Sequence, residues 1–374
     1  MRFPVSEPSL EGNEERYVHR ALRTRWISSQ GPCIPEFEKA FAEWCGVRHA
    51  VSVSSGTAAL HAALLALGLK PGEEVIVPGL SFVSTANAVS YCGATPVFVD
   101  VESDTGNIDA AKIEPHVTPR TRGIIPVHLY GHPADMDSIR WIARKYRLWV
   151  LEDAAQAHGA LYKGRRVGSV ADIATFSFYG NKIITTGEGG MVTTDNTALA
   201  RRVRLFKGQG QDPRRRYWFK VIGHNYRMTN IQAAIGSAQM EKADSLVRRR
   251  REIASWYHPC LKKISGLVLP VEKEYARRVW WLYSIRIKKA ERSERWRNAL
   301  MTYLAKAGIE TRPFFHPLHT LPPYKKRHFG RGAGLTVTER VARSGISLPT
   351  YGRLRQGDVE FISQKIGAFM KTIE

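Results

Sequence analysis

The chain has 374 residues, 43% of them hydrophobic, a size and composition that suit a large domain with a smaller companion and argue against a disordered or fibrous protein. Its formal net charge of +22 comes from arginine-rich clusters at 201–207, 214–216 and 248–251. Such an excess suits an anionic partner, nucleic acid among them, but no helix-turn-helix, zinc-finger, RRM or KH signature accompanies it, and a cluster such as 248–251 usually forms the solvated face of a helix, so nucleic acid is not the expected partner. Four scattered cysteines, Cys33, Cys45, Cys92 and Cys260, form no C-x-x-C pair, which argues against a zinc site or disulfide framework and suits a reducing cytoplasm. The polar N-terminus lacks the charged start and apolar core of a secretory signal. The longest apolar stretch, 58–69, contains His61 and falls short of the ~20 residues a membrane span needs, so it reads as a buried helix.

In chain order, β-branched runs predict strands at 50–55, 73–78, 95–101, 122–130, 148–154, 174–179 and 190–194. Helical periodicity intervenes in TAALHAALLALGL, STANAVSYCG and DMDSIRWIARKYR, with Gly68 and Gly93 as stops for the first two. Strands separated by such crossovers predict an α/β fold around a mostly parallel seven-stranded sheet. A long helical stretch from about 228 to 261 follows, then a mixed α+β pattern with a strand at 279–287 and a helix in ERWRNALMTYLAKAG. The domain boundary is placed near 245, giving a large domain at 1–245, N-terminal segment included, and a small one at 246–374. The segment RPFFHPLHTLPPYKKRHFGRGAG, rich in Pro, Gly and aromatics, reads as a loop of the second domain.

Ligands of open α/β sheets gather beyond the carboxyl ends of the strands, and three motifs lie there. In SFYGNKIITTGEGGMV, Lys182 follows a strand in a loop of small residues; as an imine to an aldehyde such a lysine becomes reactive, although most loop lysines are simply solvated. In EDAAQAHGA, Asp153 ends the preceding strand, where it can hold a cationic ring nitrogen or merely cap a turn. In SSGTAAL a strand passes through Gly56 and Thr57 into a helix, a phosphate-binding junction that is also common cap geometry. Ser177 offers another phosphate donor, and Phe82 is either a stacking aromatic or core.

A strand-end Asp, a Lys after the next strand and an earlier Gly-Thr helix start resemble fold-type I pyridoxal-phosphate enzymes. Over nearly its whole length the chain resembles the DegT/StrS family of nucleotide-sugar aminotransferases. The resemblance runs through SEPSLEGNE, SSGTAALHAALLALG, PGEEVIVPGLSFVSTANAV, PVFVDVESDT, PVHLYGHPADMD, EDAAQAHGA, SFYGNKIITTGEGG, NYRMTNIQAAIG and ETRPFFHPLH. It implies that Lys182 bonds covalently to pyridoxal phosphate, that Asp153 pairs with the pyridine nitrogen and that Gln156 contacts the phenolic oxygen. Gly56, Thr57 and Ser177 would hold the phosphate and Phe82 would stack on the ring. Asn225 would reach the phosphate from the other subunit of a homodimer with shared sites, while Arg227 and His319 would face the substrate.

No metal is implied. A histidine in place of Lys182 marks the family's sugar dehydratases, so the lysine points to transamination, with L-glutamate as the implied donor. The N-terminal segment, GQGQDPRRRYW and RPFFHPLHTLPPY most resemble members that aminate C4 of GDP-4-keto-6-deoxymannose; UDP- or dTDP-linked keto-sugars, aminated at C4 or C3, are the alternatives. A non-catalytic homologue binding a polyanion is a further one. Two departures are His224, where related members carry Tyr, and Arg25, where Gly commonly precedes the Trp.

Overall fold

Runs such as EVIVP have apolar side chains on both strand faces, which suits a sheet covered by helices on both sides. In a computed structural model, which describes residues 1–325 and 334–373, such runs form one sheet. Its strands are β1 (His49–Val53), β2 (Glu74–Pro78), β3 (Thr95–Val99), β4 (Thr121–Ile124), β5 (Trp149–Asp153), β8 (Ile173–Ser177) and β9 (Gly190–Thr194). Between β5 and β8 lie the two-residue strands β6 (Leu161–Tyr162) and β7 (Arg165–Arg166), which join β11 (Ala276–Arg277) in a small sheet. The large sheet runs β1-β9-β8-β5-β4-β2-β3; β9 is antiparallel to both its neighbours, and the other four pairings are parallel.

Each predicted strand has a counterpart, but β4 stops at Ile124 rather than 130. Pro126 has no N–H to extend the ladder, and Tyr130 turns the chain with φ of 48°. The helix Gly56–Leu67 links β1 to β2; Ser55 Oγ accepts the Ala58 N–H at 3.1 Å, and Gly68 closes it at φ of 85°. The stretch predicted at 228–261 is two helices, Asn230–Met240 and Ala243–Lys262, the first opened by a reciprocal cap between Thr229 and Gln232.

A second sheet, antiparallel throughout, has the order β10 (Leu267–Val268), β12 (Tyr283–Ile287), β14 (Gly345–Leu348), β13 (Arg312–Pro313). Its core gathers Tyr257, Tyr283, Ile285, Leu300, Ile346 and Ile366, and Phe3 from the N-terminus packs with them. The strand predicted at 279–287 begins only at Tyr283, because Trp280 takes φ of 56°, a left-handed turn that breaks the ladder. The Pro-rich segment at 312–334 contains β13 and the short helix Pro322–Lys325; its residues 326–333 lie outside those described.

The arginine run at 248–251 is not the solvated face its composition suggests. Arg250 is buried, Arg249 donates to the carbonyls of Gly352 and Leu354, and Arg251 pairs with Glu272 at 2.7 Å. The run thus fastens the helix Ala243–Lys262 to the loops that follow β10 and β14, and of its four arginines Arg248 alone is exposed. Among the described residues no helix is long and apolar enough to cross a membrane.

Candidate active site

The carboxyl ends of β5 and β8 face the segments at 281–282 and 312–315 across a cavity of about 450 Å³, a size suited to a small ligand. Gly56, Thr57, Phe82, Asp153, Gln156, Ser177 and Lys182 all line it. At one end, the N-terminus of the helix Gly56–Leu67 meets β8. A Cβ on Gly56 would lie 2.7 Å from Ser177 Cβ, so glycine is what allows the helix start and the Ser177 hydroxyl to come together. The Gly56 and Thr57 N–H groups belong to the unpaired first turn, which with the helix dipole favours an anion. The Thr57 hydroxyl lies 2.7 Å from Ser84 Oγ.

Asp153 is buried at the end of β5. Its Oδ2 accepts the Thr85 hydroxyl at 2.8 Å, and its Oδ1 accepts the Ala155 N–H at 3.2 Å. Burial nevertheless pushes this carboxyl above its ordinary value, opposed by those two donors and by the charge of Lys182. Among the described residues no cation forms an ion pair with this buried carboxylate, which suits it to a cationic ligand group. The neighbouring Glu152 projects to the other side of the strand, as strand alternation requires. There it accepts the N–H groups of Gly168, Val170 and Ala171 at 2.9 Å each and pairs with His128 Nε2 at 3.0 Å. Burial would raise Glu152, but these partners outweigh it and hold the carboxyl below its ordinary value. Because His128 Nδ1 accepts the Ala134 N–H, the proton sits on Nε2 and is directed at Glu152. This buried pair fixes the end of β5 that presents Asp153.

Lys182 lies in the loop after β8, its backbone N–H bonded to the Tyr179 carbonyl. Burial pushes its amine down to about 7, with Asp153 pulling the other way and Arg312 adding to the depression. Its Nζ stands 3.8 Å from the centroid of the Trp281 ring. Gln156 Oε1 accepts the Tyr130 N–H at 2.8 Å, leaving its NH₂ group as a donor. Tyr130 holds its left-handed backbone here, its ring stacked on Phe315 at 5.6 Å and 13°, a strained residue of the kind found where packing fixes a site. Phe82 is half exposed at the cavity edge and meets Phe315 edge-on at 5.8 Å.

Three residues singled out in the sequence stand apart from the cavity. Asn225 is exposed beside Gly208, at the base of the segment 207–225. Arg227 Nε donates to Ser29 Oγ at 3.2 Å, and His319 Nε2 lies 3.0 Å from Glu339. Of the departures noted, His224 stacks on Tyr226 at 4.8 Å, and Arg25 has φ of 60°, a conformation in which glycine is the easier residue. The cavity also contains groups that sequence reasoning passed over, among them Thr85, Tyr130, Trp281 and Arg312. Arg312 stood inside a quoted motif, ETRPF, whereas Trp281 read only as part of an apolar run.

Residues 8–367 match the DegT/DnrJ/EryC1/StrS aminotransferase family. The chain is 50% identical over 360 residues to the GDP-perosamine synthase of Caulobacter vibrioides, covering 96% of each chain. It is 47% identical over 368 residues to the GDP-perosamine synthase of Escherichia coli O157:H7, covering 98% of each. Its structure superposes on the PLP-form of Spr1654 from Streptococcus pneumoniae with a TM-score of 0.93, at 29% identity and over 100% of both chains.

Proposed function

The chain belongs to the DegT/DnrJ/EryC1/StrS aminotransferase family, and from that premise we propose that it uses pyridoxal phosphate to carry an amino group from L-glutamate to C4 of GDP-4-keto-6-deoxymannose, forming GDP-perosamine. One observation carries the chemistry: a single cavity holds the amine of Lys182, the buried Asp153 and the Gly56 helix start beside Ser177. The donor set fits the cofactor, with unpaired N–H groups and a hydroxyl for the phosphate and an unneutralised carboxylate for the ring nitrogen. Support for GDP as the nucleotide comes from the relatives named above.

Gly56, Thr57 and Ser177 would hold the phosphate, Asp153 the pyridine nitrogen and Gln156 the phenolic oxygen, and Phe82, at the cavity edge, would stack on the ring. When bound, pyridoxal phosphate supplies a covalent amino carrier and an electron sink for the bond broken at the donor's α-carbon. The residues around it do the remaining work. Lys182 Nζ, its affinity for protons lowered by burial to about 7, is neutral in part near neutral pH and takes a proton from carbon and returns it. Thr85 and Ala155 hold the Asp153 carboxylate in place, and its buried negative charge favours a protonated ring nitrogen. Arg312, a cation in the wall of the cavity, is placed to receive an anionic part of the substrate.

The protein works as a homodimer in this reading, with Asn225 completing the phosphate site of the partner. In support, Asn225 lies outside its own cavity, and the segment that carries it exposes Tyr217, Trp218, Phe219 and Ile222. Arg227 and His319, also apart from the cavity, are assigned to the substrate. The reaction is placed in the cytoplasm, in keeping with four unpaired cysteines. The test is amination of GDP-4-keto-6-deoxymannose in the presence of glutamate and pyridoxal phosphate, with Lys182→Ala alongside. Wild type forms the amino sugar and the variant forms none; normal turnover by the variant refutes the assigned chemistry.

A further inference from the structure

Trp281 belongs to the second sheet's side of the cavity, two residues before β12, yet it is bound to the loop that carries Lys182. Its indole N–H donates to the carbonyl of Asn181 at 2.8 Å, the residue immediately before the lysine. The ring is buried and lies nearly parallel to Tyr130, 6.2 Å away at 18°. This leaves its face toward Lys182, whose Nζ is 3.8 Å from the ring centroid. An aromatic face attracts a cation, most strongly where water is excluded.

We propose that Trp281 is a positioning residue: when Lys182 Nζ is not bonded to the cofactor, the indole face receives it in its ammonium form. The inference rests on the reading above only in taking Lys182 as the reacting amine. An amine that is repeatedly freed inside a buried site needs a defined place to wait, and an indole supplies one without a fixed hydrogen-bond acceptor from which the lysine must be torn. Because the ring is hydrogen-bonded to Asn181, that place moves with the lysine's own loop. The contact also spans the cavity between the two sheets, so the second sheet contributes to the environment of the lysine through one aromatic face.

Among the described residues, the groups that act electrostatically with Lys182 are Asp153 at the end of β5, His158 in the turn after it and Arg312 in β13, and Tyr130, Tyr179 and Glu188 line the same cavity. Burial holds His158 neutral, pushed down to about 3, so it adds no charge near neutral pH. Asp153 favours the ammonium, and Arg312 and burial oppose it. Trp281 acts in the same direction as Asp153 by stabilising the charged form, so its removal shifts Lys182 further toward the neutral amine.

The experiment uses the full-length protein freed of cofactor and follows acetic anhydride labelling of Lys182 by peptide mass spectrometry from about pH 5 to about pH 10, a range that brackets the titration. Trp281→Leu is expected to move the midpoint for Lys182 down by roughly one pH unit, as loss of a desolvated cation–π contact predicts. Trp281→Phe, which keeps a weaker aromatic face, should move it down by less. A midpoint that stays or rises in Trp281→Leu overturns the proposal, as does a phenylalanine variant that shifts as far as the leucine one. Should the leucine variant fail to fold by circular dichroism, the phenylalanine variant decides: a downward shift supports the assignment and an unchanged midpoint overturns it. Since neither cofactor nor sugar is present, the result is independent of which substrate the enzyme takes.

Discussion

At Lys182 burial and the charge of Asp153 pull in opposite directions, and burial prevails. A lysine whose folded value lies near 7 against 10.5 in the open chain is neutral when folded and charged when unfolded between those limits. The unfolded state then binds the extra proton, so stability of the cofactor-free protein rises with pH across that window. The contribution is of order a few kcal/mol at most; Lys182→Met should flatten the slope, which denaturant titrations at several pH values will measure. Thr85 supplies the second test at this scale. Thr85→Val keeps the shape but removes the donor to Asp153, and the loss of a hydrogen bond to a charged group should lower kcat/KM by roughly tenfold or more, while Thr85→Ser restores most of it.

The sequence marked Lys182 and Asp153 as candidates because each stands at or just after the end of an apolar run, a position readable without tertiary contacts. It concealed Thr85 and Trp281 because their roles come from groups distant along the chain: Thr85 to Asp153 spans 68 positions, and Trp281 to Asn181 spans 100. Glu152 and His128 were hidden for the same reason.

The helix Gly56–Leu67 combines a structural cap with a ligand-binding start, and the two are separable. Ser55→Ala removes the side-chain cap and should cost about 1 kcal/mol of stability, read from the denaturation midpoint. Gly56→Ala forces a Cβ against Ser177, 2.7 Å away, at the proposed phosphate site. It should weaken cofactor binding by on the order of tenfold, the equivalent of about 1.4 kcal/mol, as followed by absorbance titration. A Gly56→Ala protein that binds the cofactor as tightly as wild type would show that this junction does not carry the phosphate.

Strand positions were legible in the large sheet because alternating strands and helices leave a strong hydrophobic pattern. The errors fall where backbone geometry overrides that pattern. Val127 and Leu129 are apolar and buried, but Pro126 and the left-handed Tyr130 end the strand before them. Val279 to Leu282 are equally apolar, yet the left-handed Trp280 breaks the ladder, and Trp281 and Leu282 line the cavity instead.

For the whole molecule, net charge was a poor guide to function. Part of the +22 serves internal contacts: Arg204 and Lys207 share Glu38 at 2.7 and 3.3 Å, and Arg249 and Arg251 tie a helix to the second sheet's side. The proposed dimer contact lies on a different surface, the segment 207–225 with its exposed aromatics. Replacing Trp218 and Ile222 together by Asp should convert the proposed dimer to single chains in light scattering and remove activity, because Asn225 would no longer reach a partner. Wild-type mass and activity in that double variant would separate the segment from the interface.

The most direct measurement of the central claim is kcat/KM for purified protein, with pyridoxal phosphate and glutamate, on the 4-keto-6-deoxysugars of GDP, UDP and dTDP side by side. The predicted result is amination of the GDP sugar to GDP-perosamine with a strong preference over the other two. Amination of only a UDP or dTDP sugar, or of none, would contradict the account.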